Sequence, residues 1–191
     1  MLSIYRFAIS VLLLATAAYA SPITYSGTLS PLAENPPNLT SVATGFATVT
    51  FDPVTELLNI SFSYSGLASG ANGAHIHCCV AAGGNTGVAT TVPAFVGFVL
   101  GATSGTYSAT LDMTQFVNYN PAFITANGGT VASAEAAFSN GFVGGMTYLN
   151  IHDANFPGGE IRLVMSPEPG TILLMPMALA MLRLTRRKRS A

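Results

Sequence analysis

Between Glu56 and Ser65 the side chains alternate. Leu58, Ile60, Phe62 and Tyr64 fall on one side, and Asn59, Ser61, Ser63 and Ser65 on the other. A period of two is that of a β-strand, and a strand with one apolar face must lay that face on a second layer. Just before it, Asp52-Pro53-Val54-Thr55 carries turn chemistry. Ahead of the turn, Ala43 to Asp52 is rich in β-branched and aromatic residues, so the two stretches form a hairpin. Similar short runs predict strands at 22–29, 73–79, 105–111, 145–152 and 159–165. Only Ala132 to Asn140 reads as a helix, and a short one. No repeat or low-complexity linker interrupts the series. Many short strands with frequent turns predict a single all-β domain, a Greek-key β-sandwich or barrel.

Charge divides the chain into three segments. It has 191 residues, of which only 8% are charged, and its net charge is −1; about 25% charged is usual for a soluble domain. Five of the seven basic residues form one terminal cluster, Arg183, Arg186, Arg187, Lys188 and Arg189. Arg6 lies near the other end. Residues 21–166 hold one basic residue, Arg162, and seven acids, a balance of −6 (one minus seven). That balance opposes a nucleic-acid role.

The two ends read as addresses. In residues 1–20, Arg6 precedes an apolar run, and Ala18 and Ala20 occupy the small-residue positions that signal peptidase reads. Cleavage there starts the mature chain at Ser21. At the other end Pro167-Glu168-Pro169 is followed by an apolar run, Thr171 to Leu182, and then by the basic cluster. That order keeps the basic end cytoplasmic. The run is short for a span and contains Pro176, which suits a transient inner-membrane anchor better than a permanent transmembrane helix. The tripartite end resembles the PEP-CTERM sorting signal of Gram-negative bacteria. The resemblance implies cutting near Pro167-Glu168-Pro169 by an exosortase-type membrane protease, with delivery to the cell surface or extracellular matrix. The domain proper is then 21–166, with the sorting signal at 167–191.

All three histidines lie in strand-like stretches, Ala74-His75-Ile76-His77-Cys78-Cys79 and Tyr148-Leu149-Asn150-Ile151-His152. Period two puts His75 and His77 on one side, their Cα atoms roughly 6.8 Å apart, and Ala74, Ile76 and Cys78 on the other. In the later strand His152 shares a side with Tyr148 and Asn150. In the last strand Glu160 and Arg162 oppose Ile161, Leu163 and Met165. If these strands are neighbours, His75, His77 and His152 converge. Three neutral imidazoles suit copper or zinc. Cys79, on the same side by alternation, is a candidate fourth ligand. The competing reading is a polar cluster in which the histidines bond to Asn150, Glu160 and backbone. Cys78 and Cys79 are the only cysteines. A vicinal disulfide, metal ligation, free thiols and an intermolecular bridge all stay open, although neighbouring strand residues point apart and disfavour an ordinary bridge. Pro157-Gly158-Gly159 makes a tight connection that brings His152 towards Glu160, and Glu160 and Arg162 are placed to pair.

At these residues the chain resembles the CHRD domain, the module repeated in animal chordin and found alone in bacterial secreted proteins. The likeness rests on Ala74-His75-Ile76-His77, on Tyr148 to His152, on Pro157 to Arg162 and on the strand Leu57 to Leu67, and runs from about Thr24 to Met165. Leu163 departs from it, standing where many relatives have Gly. The growth-factor binding associated with chordin does not transfer to a bacterium. A more distant likeness is to Cu/Zn superoxide dismutase, which implies copper on His75, His77 and His152 and an anion-guiding role for Arg162. With no bridging histidine and no zinc-loop set, at most a copper-only site is implied. The fold expected is therefore superoxide-dismutase-like or immunoglobulin-like.

Other chemistry finds no foothold. There is no Gly-x-Ser-x-Gly, no phosphate-cradling glycine loop and no His-Glu-x-x-His. The expectation is an exported surface or matrix domain with a structural or binding role, more readily than an enzyme. Its partners are signal peptidase and exosortase during export and then extracellular polymer. The alternative is a copper or zinc protein, redox-active if copper is held.

Overall fold

A computed structural model describes residues 21–166. The leader with Ala18 and Ala20, the Pro167-Glu168-Pro169 motif and the basic tail lie outside the described residues. Among the described residues seven strands form two antiparallel sheets. They are β1 (Ile23–Leu29), β2 (Thr44–Asp52), β3 (Leu57–Ser65), β4 (Ala71–Cys78), β5 (Gly105–Asp112), β6 (Thr147–Asp153) and β7 (Ile161–Met165). One sheet has the order β1-β2-β3-β5 and the other β4-β6-β7. From β3 to β6 the chain crosses between sheets at every step, as a Greek-key sandwich requires. The immunoglobulin arrangement differs: there the first, second, fourth and fifth strands share one sheet.

The alternating strand behaves as its sequence dictates. Leu58, Ile60, Phe62 and Tyr64 are buried, and Asn59, Ser61, Ser63 and Ser65 are exposed. Each large apolar side chain so buried contributes about 1.5–3 kcal/mol. In the facing sheet Ala74, Ile76, Leu149, Ile151, Ile161 and Met165 complete the core. The β2–β3 turn is held by the Asp52 carboxylate, which accepts from the Val54 amide at 2.9 Å.

Among the described residues two α-helices, not one, join the strands. The expected helix is longer than 132–140: it is α2 (Val131–Val143), preceded by α1 (Pro121–Ala126). Thr130 and Ser133 form a capping box for α2, and Asn120 followed by Pro121 starts α1. Ala134, Phe138 and Phe142 of α2 are buried, and Phe138 and Phe142 pack on Phe51 at 5.7 Å between ring centroids.

The outward face of the β4-β6-β7 sheet is also covered. Every residue of β6 is buried. Segments 31–35 and 83–85 lie across it, tied to each other by Asn35 Nδ2 to Gly83 O (2.7 Å) and Asn85 Nδ2 to Asn35 O (2.6 Å). Segment 87–95 runs beside the free edge of β4, with Ala89 N to Ile76 O and Phe95 N to Ala74 O both at 2.9 Å. Among the described residues no helix is long and apolar enough to cross a membrane.

Candidate metal centre

β4 and β6 are hydrogen-bonded neighbours, so the histidines meet. In register, His77 faces Tyr148, His75 faces Asn150 and Gly73 faces His152. The missing side chain at Gly73 leaves room for the ring of His75. A Cβ there would stand 3.0 Å from His75 Nε2 and 3.0 Å from the Pro93 carbonyl oxygen. Ring centroids are 4.7 Å apart for His75–His152 and 5.5 Å for each of the other two pairs. One ligand nitrogen from each ring lies within 4.8 Å of the others. All three residues are buried, between 6 and 8% exposed.

Backbone carbonyls decide which nitrogens are free. A carbonyl only accepts, so a ring nitrogen bonded to one must carry the proton. His77 Nδ1 donates to Thr86 O at 2.8 Å, and His152 Nδ1 donates to Pro157 O at 3.0 Å. Their Nε2 atoms therefore present lone pairs, and these face one another at 3.3 Å. On His75 the Nε2 side lies by Pro93 O, while Nδ1 is buried without a hydrogen-bond partner. The two Nε2 lone pairs, with a ligand nitrogen of His75 within 4.8 Å of both, repel in a buried pocket unless something positive sits among them. A metal-bound histidine usually donates its other ring N–H to a carbonyl or carboxylate in this way.

Burial keeps the rings neutral. It lowers His75 to about 3, helped by the neighbouring His152 and His77 and opposed by the Pro93 carbonyl. It lowers His77 to about 4, opposed by the Thr86 carbonyl. His152 is lowered for the same reason. Neutral nitrogen donors, with no carboxylate among them, fit copper or zinc and not a hard cation such as calcium. A cavity of about 500 Å³ opens over the rings, lined in part by Asn72, Asn85, Thr86 and Tyr148.

The remaining expected residues are placed differently. Cys79 is not among the ligands. β4 ends at Cys78, the alternation stops there, and Cys78 and Cys79 form a vicinal disulfide. Its Cys79 Sγ lies 3.5 Å from the Ala137 carbonyl, against α2, and a bridged sulfur offers no thiolate. Glu160 and Arg162 do not pair. Glu160 accepts from Ser41 Oγ at 2.6 Å and from the Ala68 amide at 3.1 Å. Arg162 is 1% exposed and is bound by Glu34 at 2.8 Å, Asn85 Oδ1 at 2.8 Å and Gly84 O at 3.1 Å. So enclosed, it cannot guide an anion in the way the superoxide dismutase likeness implies. Its guanidinium lies 3.9 Å from the centre of the Tyr148 ring, which stacks at 4.5 Å on His77. Asn150 does not bond to a histidine. Its amide sits 3.4 Å from Gly158 O and 3.5 Å from Glu34. The sequence gives no sign of the parts that Glu34, Thr86, Pro93 and Pro157 play here, three of them because they act through main-chain carbonyls, which leave no mark in a sequence.

Fold and site together define an antiparallel β-sandwich with a buried three-histidine cluster between two strands of one sheet. A family model, the CHRD domain, matches residues 25–162. The chain belongs to the CHRD domain family. No curated protein and no solved structure matches it.

Proposed function

We propose that this CHRD domain is exported and holds one copper or zinc ion on His75, His77 and His152. The observation that carries the reading is the pair of carbonyl-fixed rings, His77 and His152, with their Nε2 atoms turned towards one another and a ligand nitrogen of His75 within 4.8 Å. Copper would supply one-electron redox chemistry there, and zinc Lewis acidity. The role is binding or structural in kind, since no nucleophile–base pair stands beside the cluster among the described residues. The leader and the Pro167-Glu168-Pro169 tail support a route through signal peptidase and an exosortase-type protease to the surface or extracellular polymer of a Gram-negative bacterium.

Metal analysis tests the first part. The full chain, exported by a bacterial host, is purified, loaded with Cu(II) or Zn(II) and dialysed. About one ion per chain is expected, and none in the His75→Ala/His152→Ala variant. Metal-free wild-type protein after loading would end the reading. The sorting part is tested by mass spectrometry of the surface protein from its native host. A mature chain that begins at Ser21 and lacks the basic tail is expected, and an intact tail refutes cleavage.

A further inference from the structure

The outward face of the β1-β2-β3-β5 sheet is unlike an ordinary solvated surface. Its residues form three rows across four strands. One row is Thr24–Thr50–Asn59–Thr110, the next Ser26–Thr48–Ser61–Ser108, and the third Thr28–Phe46–Ser63–Thr106. All are exposed or half-exposed. The twelve positions hold ten hydroxyls, one amide, one phenyl ring and no charge. Exposed sheet faces normally carry charged side chains, which keep them soluble and guard against edge-to-edge pairing. Here the acids of the sheet, Asp52 and Asp112, sit at strand ends, beyond the rows.

The twist and pairing of a sheet give such rows fixed spacings, about 4.7–4.9 Å between strands and about 6.8 Å along them. Some hydroxyls already bond across strands, Thr24 to Thr50 at 2.8 Å and Ser26 to Thr48 at 2.9 Å, which fixes their rotamers. Each still has donor or acceptor capacity left. Phe46 is 54% exposed, on an interior strand, where an aromatic ring has no packing reason to face outward. Shallow clefts flank it, one of about 330 Å³ lined by Thr48, Ser61, Ser63 and Ser108 among others, the second of about 500 Å³ reaching Ser65 and Gly105.

We infer that this face binds a neutral polysaccharide. A sugar ring offers an apolar C–H face to an aromatic ring and hydroxyls around its rim. Phe46 supplies the first complement and the Ser/Thr rows the second. The absence of charge matters in both directions. Neutral hydroxyls are far less costly to desolvate than carboxylates or ammonium groups, and a neutral face gains nothing from a polyanion. A repeating polymer also meets a repeating surface, so that weak contacts add along one chain. The inference takes its setting from the proposed export to an extracellular polymer, but it rests on surface residues remote from the histidines.

Affinity electrophoresis on native gels tests it, with the exported full chain run through hydroxyethylcellulose, dextran or alginate. Retardation by at least one of the two neutral polymers is expected, and none by alginate. Phe46→Ala should weaken it about tenfold, as loss of a central aromatic contact does, and Ser61→Glu should abolish it. Circular dichroism and metal content of both variants should match the parent, so a failure here is told apart from a failure of the metal reading. Three results overturn the inference: no retardation by either neutral polymer, retardation indifferent to both substitutions, or a sedimentation shift showing that Phe46 instead joins two copies of the chain.

Discussion

One methyl group at position 73 would reach the ring of His75. That makes Gly73→Ala a sharp residue-scale test, because it replaces none of the three histidines and presses on the ring of His75 and the Pro93 carbonyl. We expect copper or zinc affinity to fall about 10–100-fold, the usual cost of disturbing the support of a metal ligand, with the circular dichroism spectrum unchanged. Acidity gives a second test on the metal-free protein. Folded-state values of about 3 for His75 and about 4 for His77 lie below the ordinary 6.5. Above that value the rings are neutral in both folded and unfolded chains, and stability is full. As pH falls through about 6.5 the unfolded chain takes up protons that the folded one refuses, so stability drains away towards pH 4 and 3. Urea midpoints at pH 7.5, 6, 5 and 4 check the trend, and the His75→Ala/His77→Ala variant should lose part of it. The histidine trio was legible because strand alternation fixes direction. Its tautomers were not, because Thr86, Pro93 and Pro157 contribute only carbonyls.

Among the elements, β7 depends on a partner that alternation could not reveal. Arg162 is buried with Glu34, which comes from the 3-10 turn after β1. Burial raises the Glu34 carboxyl, and Arg162 pulls it back. Removing one member of a buried pair leaves the other uncompensated, so Arg162→Leu should cost about 3–5 kcal/mol. Replacing both, as Glu34→Leu/Arg162→Leu, should recover a large part of this in denaturant titrations. Helix α2 makes a comparable case in the apolar core. Phe142 sits against Phe51 and Tyr25 with no exposure, and Phe142→Ala should cost about 3–5 kcal/mol. All seven strands could be read from the sequence within a residue or two, since each pairs apolar alternation with turn residues. Helix α1 was hidden because six residues behind Asn120-Pro121 look like a turn. The Glu160–Arg162 pairing failed because Glu160 precedes the strand, which begins at Ile161, and turns instead to Ser41 and Ala68.

For the molecule as a whole, the candidate ligands tie β4 to β6, and their carbonyl supports come from two loops, Thr86 and Pro93 from the β4–β5 connection and Pro157 from the β6–β7 turn. An ion bound only by the folded state would raise stability by about 4 kcal/mol at a thousand times its dissociation constant, and the thermal midpoint should climb with added Cu(II) or Zn(II) and not with Ca(II). The two faces of the domain are thereby set apart: one sheet carries the buried nitrogen cluster, the other an uncharged array open to solvent. Burial of Arg162 has a further consequence. No other lysine or arginine lies between Arg6 and Arg183. A trypsin-type protease therefore has one bond to cut within 21–166, in a strand where the arginine is 1% exposed. The folded domain should persist among such proteases, and the appearance of a break after residue 162 would time the opening of the sandwich itself.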